Sequence, residues 1–456
     1  MERYQMSHEG NPNLNGQKSS LKYHSTVSTT ELKARAFGVG FVNPLDKYKK
    51  LYIDDIPIMI TNQNEILCIP KENETTHWGI TGQTGTCKTI LINSTLSWDF
   101  HHTKRVCINL NDIQSDSFEW SMPTNSFLDI LDKLNIKPCP TPIIYVFPST
   151  DSLQIDKKQR KFPFIKMSIP LEEVIRNIED YYPLDKSKVY VGNLIDDLIE
   201  CSSISEIRSI IDENIPEKHM QMKFKIMNIF EAIFNNNMLN VSVPEAPAYL
   251  GWTDGKDTYK NFTIQTLMRA GFVPSIQTAD LANQDYFSAY MAFIVKELYR
   301  NQNEDPYFKE KIVSLFVDEI DKLWKGDNGK LIIKALCFIG TNGRMARIGM
   351  RWSTQHYELV PEKIRNNTKY LFISRKSDAK EVKEIEKDFG MPKSMQDDIL
   401  KLTTDKKKGL FEMVAVTTEE FVLYDVITGK KRRTSQPQRG FLIPPMARHR
   451  VPGVEI

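Results

Sequence analysis

The chain has 456 residues, 41% of them hydrophobic and 10% aromatic, enough for a large core and, by length, roughly two to four domains. A formal net charge of +2 excludes a chain that is basic throughout, so any nucleic-acid-binding surface has to be local. The six cysteines form no C-x-x-C pair and no apolar run approaches the ~18 residues of a membrane span, which leaves zinc, disulfide-framework and membrane classes without a signal. A reduced, cytoplasmic chain is expected.

In chain order, residues 1–30 are polar and rich in Asn, Ser, Gly and Thr, and read as a mobile tail without a signal-peptide core. Residues 31–75 hold short apolar runs broken by Asn, Pro and Asp, the pattern of a small β element. Residues 76–150 switch to strand, Gly-rich turn, helix and strand: "HWGITG", then "KTILINSTLSWDF" with Ile90, Leu91, Leu96 and Trp98 at helical spacing, then "KRVCINL". That is a βαβ unit and implies a parallel sheet.

Residues 151–245 read as a helical insertion, with period-3.6 apolar positions in "LEEVIRNIEDYY", "VYVGNLIDDLIECSS", "ISEIRSIIDENI" and "KFKIMNIFEAIFNNN". The α/β rhythm returns over 246–430. "YFSAYMAFIVKELYR" and "KLIIKALCFIGTNGR" are helices, the second burying Leu331, Ile332, Leu336 and Phe338 and ending at Gly340. "KIVSLFVDE", "IGMRWSTQ" and "TKYLFISR" are strands, and "KSDAKEVKEIEKDFG" is a helix stopped by Gly390. "GLFEMVAVTTEEFVLYDVITG" reads as a β-hairpin. Residues 431–456 are the densest basic run and read as a tail, either solvated or in contact with nucleic acid.

Three motifs carry chemistry. Residues Gly82, Gln83, Thr84, Gly85, Thr86, Cys87, Lys88 and Thr89 nearly spell G-x-x-x-x-G-K-[ST], in which consecutive N–H groups and a helix N-terminus face an anion. Lys88 reaches the β- and γ-phosphates and Thr89 ligates Mg²⁺. Cys87 replaces the second glycine; its two readings are an incidental small residue, which is preferred, and a redox switch. "SLFVDEIDKLW" delivers Asp318 to Mg²⁺ and Glu319 to the attacking water from the end of a buried strand, with Asp321 expected to be exposed. Gln355 ends the next strand, placed to sense the γ-phosphate.

The order of these motifs resembles the HerA/FtsK superfamily of ring-forming P-loop ATPases over roughly residues 75–426. The resemblance implies an α/β fold with a RecA-like P-loop NTPase core, ATP and Mg²⁺ as ligands, and a homo-oligomer, a hexamer, that moves duplex DNA with a nuclease, capsid or secretion partner. By resemblance Lys88 and Thr89 are the first pair, Asp318 and Glu319 the second, and Gln355 the sensor. Arg344 matches an arginine finger acting in the neighbouring subunit, and Arg375 the arginine that closes the next strand. Asn109 and Asn111 stand where relatives often have an aspartate, and the β element is shorter than the barrel that docks the nuclease in HerA. Lys322, Lys325 and Lys330 are candidates for sequence-independent phosphate contacts. The competing class is a nucleotide-binding scaffold whose Cys87 has cost it turnover.

Overall fold

The computed structural model describes residues 22–24, 50–52, 55–86, 88–101, 105–112, 116–125, 128, 131, 137–148, 164–167, 188–201, 203–235, 264–269, 271–277, 284–323, 329–405 and 410–448. Cys87, Lys325 and the segment "LEEVIRNIEDYY" lie outside these residues.

The strands in chain order are β1 (Lys22–His24), β2 (Lys50–Tyr52), β3 (Ile56–Thr61), β4 (Glu65–Ile69), β5 (His77–Thr81), β6 (Arg105–Asp112), β7 (Ile143–Pro148), β8 (Phe164–Met167), β9 (Val273–Gln277), β10 (Ile312–Val317), β11 (Ile348–Thr354), β12 (Thr368–Ile373), β13 (Thr404–Asp405), β14 (Leu410–Thr417), β15 (Phe421–Asp425), β16 (Lys431–Thr434) and β17 (Gln438–Leu442). Strands β1 and β2 pair with each other. The main sheet runs β16-β15-β4-β3-β17-β14-β12-β5-β11-β10-β6-β9-β7-β8, with β13 beside β14.

From β12 to β8 every neighbouring pair is parallel. Helices cover both faces of such a sheet, so its strands carry continuous apolar runs. Strand β10 is "IVSLFV" with every residue buried. Val313, Leu315 and Val317 enter one core, and Phe316 enters the core on the other face. The central order β12-β5-β11-β10-β6 is that of a RecA-like P-loop core.

Helix α1 (Lys88–Phe100) follows β5 and is buried almost all round. One side packs on the sheet. The other is covered by the C-terminal segment, whose Ile443 carbonyl accepts from Ser94 Oγ at 3.2 Å and whose Ala447 carbonyl accepts from Asn93 Nδ2 at 3.2 Å. The insertion holds α2 (Ile204–Asn214) and α3 (Met220–Asn235). Ser203 caps α2 by accepting from the Glu206 N–H, and Ile207 and Ile211 face the core. Helices α4 (Gln284–Glu304) and α5 (Gly329–Asn342) pack together, and α6 (Ala379–Phe389) ends at Gly390 in left-handed backbone, φ 62°. Among the described residues no helix is long and apolar enough to cross a membrane.

Four expectations are corrected. Strands β14 and β15 exist but do not form a hairpin: β14 bonds β12 and β17, β15 bonds β4 and β16. The basic run from residue 431 is not a free tail, because β16 and β17 lie in the sheet, where Lys431 pairs with Asp55, Arg432 with Glu65 and Arg439 with Glu412. The span 151–245 also contributes edge strand β8, so it is not purely helical. Helix α5 continues through Gly340 to Asn342, and Phe338 is 46% exposed.

Candidate functional site

The site lies where a parallel sheet leaves strand ends free, beyond the C-terminal ends of β5, β10, β11 and β12. The loop 82–86 leaves β5 and is held from two sides. The Gly82 N–H donates to the Thr354 carbonyl at 3.3 Å, and the Gln83 N–H donates to the Arg375 carbonyl at 3.0 Å. Thr86 and Ser374 hydroxyls meet at 2.7 Å. A Cβ at Gly82 would fall 1.7 Å from Ser374 Oγ, so only glycine lets the loop start so close to β12. Gly85 has φ 74°, which glycine adopts without strain.

Lys88 opens α1 and is buried, with its Nζ donating to the carbonyls of Gly82 and Gln83, both at 2.9 Å. Its ammonium therefore lies inside the curve of the loop. The next residue, Thr89, donates from Oγ1 to Asp318 Oδ2 at 3.1 Å. Ser353 also hydrogen-bonds Asp318. Burial pushes the Asp318 carboxyl up to about 6, against the opposing hydrogen bond from Ser353 and the nearby Lys88 charge. A carboxylate so placed favours a cation beside it. A hydroxyl and a carboxylate are hard oxygen donors, and their pairing across 229 residues of sequence fits Mg²⁺.

Glu319 is buried in left-handed backbone, φ 45° and ψ 52°. Its N–H donates to Ser353 Oγ and to Asp318 Oδ1, both at 3.0 Å. Its Oε1 accepts from Gln355 Nε2 at 2.7 Å, and its Oε2 pairs with Lys322. Gln355 Oε1 in turn accepts from Thr84 Oγ1 at 2.8 Å. One glutamine thus ties the tip of the phosphate loop to the glutamate. Lys376 donates to the Gln355 carbonyl at 2.6 Å and to Glu381 Oε2 at 2.7 Å, which fixes the glutamine's backbone. Burial lowers the Lys376 pKa while Glu381 opposes the shift.

The structure thus brings Gly82, Gln83, Thr84, Thr86, Lys88, Thr89, Asp318, Glu319 and Gln355 together. Arg375 belongs to the same edge through its carbonyl, and its side chain is exposed. Arg344 does not belong to it. It precedes β11, whereas Gln355 follows β11, so the seven-residue strand, about 20 Å long, separates them. Asp321, expected to be exposed, is buried and accepts from Thr354 Oγ1 at 2.8 Å. Asn109 takes no part in the site; its amide donates to Ser275 at 3.2 Å. Ser353, Ser374 and Lys376 escaped the sequence reading; the hydroxyls of "STQ" at the strand end were the available signal.

No family model and no curated protein matches the chain. Among solved structures it is similar to VirB4 of Thermoanaerobacter pseudethanolicus, at 12% identity and a TM-score of 0.47, over 85% of this chain and 97% of that one. It is also similar to the plasmid coupling protein TrwB in complex with the non-hydrolysable ATP analogue ADPNP, at 12% identity and a TM-score of 0.49, over 94% and 95% of the two chains. A third similarity is to B204, the DNA-packaging ATPase from Sulfolobus Turreted Icosahedral Virus, at 11% identity and a TM-score of 0.28, over 80% and 98%.

Proposed function

We propose that the chain is an ATPase whose hydrolysis drives movement of duplex DNA, working as a ring of identical subunits. The observation that carries the ATPase part is the linked pair of contacts described above: Thr89 with Asp318, and Thr84 with Gln355 and Glu319. Together they join the phosphate loop to two strand ends far away in sequence. The DNA and ring parts are supported by the resemblance of the motif order to HerA/FtsK motors.

In this reading the loop N–H groups and Lys88 bind the β- and γ-phosphates, with Gly82 and Gly85 permitting the close approach. Thr89 and Asp318 would hold Mg²⁺, which would supply charge neutralisation at the phosphates when bound. Glu319 accepts the proton of the attacking water and Gln355 orients that water. Lys88 leaves its loop carbonyls to meet the phosphates.

The test is ATP turnover with and without duplex DNA, in wild type, Lys88→Ala and Glu319→Gln. Wild-type turnover stimulated by DNA is expected. Lys88→Ala should be inactive, and Glu319→Gln should bind ATP as wild type does but hydrolyse it at least ~10²-fold more slowly. Nucleotide binding without turnover in wild type would replace the motor by the scaffold, and an active Lys88→Ala would remove the site.

A further inference from the structure

We infer that Lys322 is a latch on Glu319, which a backbone phosphate of bound nucleic acid releases. The inference rests on Glu319 as the group that activates water. Strand β10 ends at Val317, and the chain turns at once through a short 3₁₀ segment, Ile320–Lys322. The Lys322 N–H donates to the Glu319 carbonyl at 2.8 Å. That turn brings the Lys322 ammonium onto Glu319 Oε2.

Other carboxylates in "DEID" are otherwise engaged. Asp318 is held by Thr89 and Ser353, and Asp321 by Thr354. Glu319 therefore receives the lysine, while its Oε1 is held by Gln355. Gln355 Nε2 donates to one oxygen of the base, and the Lys322 ammonium lies against the other as an ion pair. A base acts only if it can accept the proton of water within hydrogen-bond reach. With an ammonium on one oxygen and an amide on the other, Glu319 is poorly placed to do so. Its left-handed backbone adds a conformation that persists only while surrounding contacts hold it, as in elements with two settings.

The two partners differ in reach. The Glu319 side chain is 8% exposed and the Lys322 side chain 34% exposed. The lysine can turn outward while the glutamate stays. With its lysine about a third exposed the ion pair is partly screened by water, and a lysine is a point cation suited to phosphate. Closely spaced backbone phosphates compete for it strongly, and the competition weakens with salt. The nucleotide's γ-phosphate has the same chemistry, but release by that group would leave no role for DNA.

The test compares wild type, Lys322→Met and Lys322→Arg at saturating ATP, with no DNA, with saturating duplex DNA, and across a salt series. Methionine keeps the stem and removes the charge. Lys322→Met should raise DNA-free turnover by roughly tenfold and bring the stimulation ratio to about one, a part of what a positioned base contributes. Lys322→Arg should restore low DNA-free turnover and stimulation. Adding Glu319→Gln to Lys322→Met should abolish the gain. An unchanged DNA-free rate and ratio in Lys322→Met would overturn the latch, including the case in which the γ-phosphate releases it. Parallel loss of both rates, the sign of a structural role, would overturn it as well. A wild type with no turnover in any condition would instead remove the ATPase reading, and the latch with it.

Discussion

His77 opens β5, the strand that ends in the phosphate loop, and its imidazole is buried. Nδ1 accepts from the Met350 N–H at 2.9 Å, which requires that nitrogen to be unprotonated. Burial, with the Arg351 guanidinium nearby, pulls the His77 pKa down to about 4. Between pH 4 and the ordinary value near 6.5 the unfolded chain binds a proton that the folded chain does not. The histidine's contribution is therefore complete above pH ~6.5 and is lost as pH falls toward 4, on the order of 3 kcal/mol over the window. His77→Asn can keep an acceptor near Nδ1 but does not titrate. Urea unfolding at pH 7.5 and 5.0 should show a smaller acid loss in the variant than in wild type, and equal losses would refute the assignment. At this scale the candidate site was largely legible. Gly82, Lys88, Thr89, Asp318, Glu319 and Gln355 each sit at the end of an apolar strand or the start of its helix, and strand ends are visible in sequence. Ser353, Ser374, Lys376 and the buried Asp321 were not, because their partners depend on which strands lie side by side.

At the scale of elements, the parallel core was readable because βαβ order dictates it, while antiparallel pairing was not. Strands β14 and β15 are adjacent in sequence but lie three strands apart, separated by β17, β3 and β4. No Asn-Gly or Gly-Gly turn stands between them, and each is paired on both sides by other strands. A second hidden feature ties the elements together from inside. Asp99, in the last turn of α1, is fully buried and binds Arg105 of β6. It also accepts from Ser314 of β10 at 2.7 Å and lies 3.4 Å from Arg351 of β11. Glu74 completes the cluster, pairing with Arg105 at 2.9 Å. A buried ion pair adds little over apolar packing, but removing one partner strands the other. Asp99→Ala leaves two buried guanidiniums with one carboxylate and should cost about 3–5 kcal/mol of unfolding free energy. Asp99→Ala with Arg351→Met should recover part of that loss, since both charges go together. A single-variant loss below ~1 kcal/mol in denaturant titrations would mean that the cluster is not holding the elements.

For the molecule as a whole, the two ends of the parallel strands are unlike. The C-terminal ends carry Lys88, Glu319 and the exposed Arg375, and the opposite ends carry the exposed Arg344. Arg344 follows Gly343, where the chain leaves α5, and its carbonyl closes a turn with the Arg347 N–H at 3.1 Å. The length of β11 keeps it from its own Lys88. In a head-to-tail assembly unlike faces meet, and a ring closes when the rotation closes. A ring that sets these two ends together would bring Arg344 of one subunit to the loop of the next, where a guanidinium would stabilise the transferring phosphoryl group by ~10³–10⁵ in rate. The Arg375 backbone lies at the same strand ends as Lys88, so any charge it supplies is expected to act within its own subunit. The two arginines are separated by mixing. Arg344→Ala, Arg375→Ala and Lys88→Ala are each expected to be inactive or nearly so. Mixed with Lys88→Ala, the Arg344→Ala protein contributes an intact loop to interfaces where the Lys88→Ala neighbour supplies Arg344, and ATPase activity returns in part. Mixed with Lys88→Ala, the Arg375→Ala protein recovers nothing, because no subunit carries both Lys88 and Arg375. Recovery in the second mixture would place Arg375 in the neighbour's site, and full activity of Arg344→Ala alone would take Arg344 out of the mechanism.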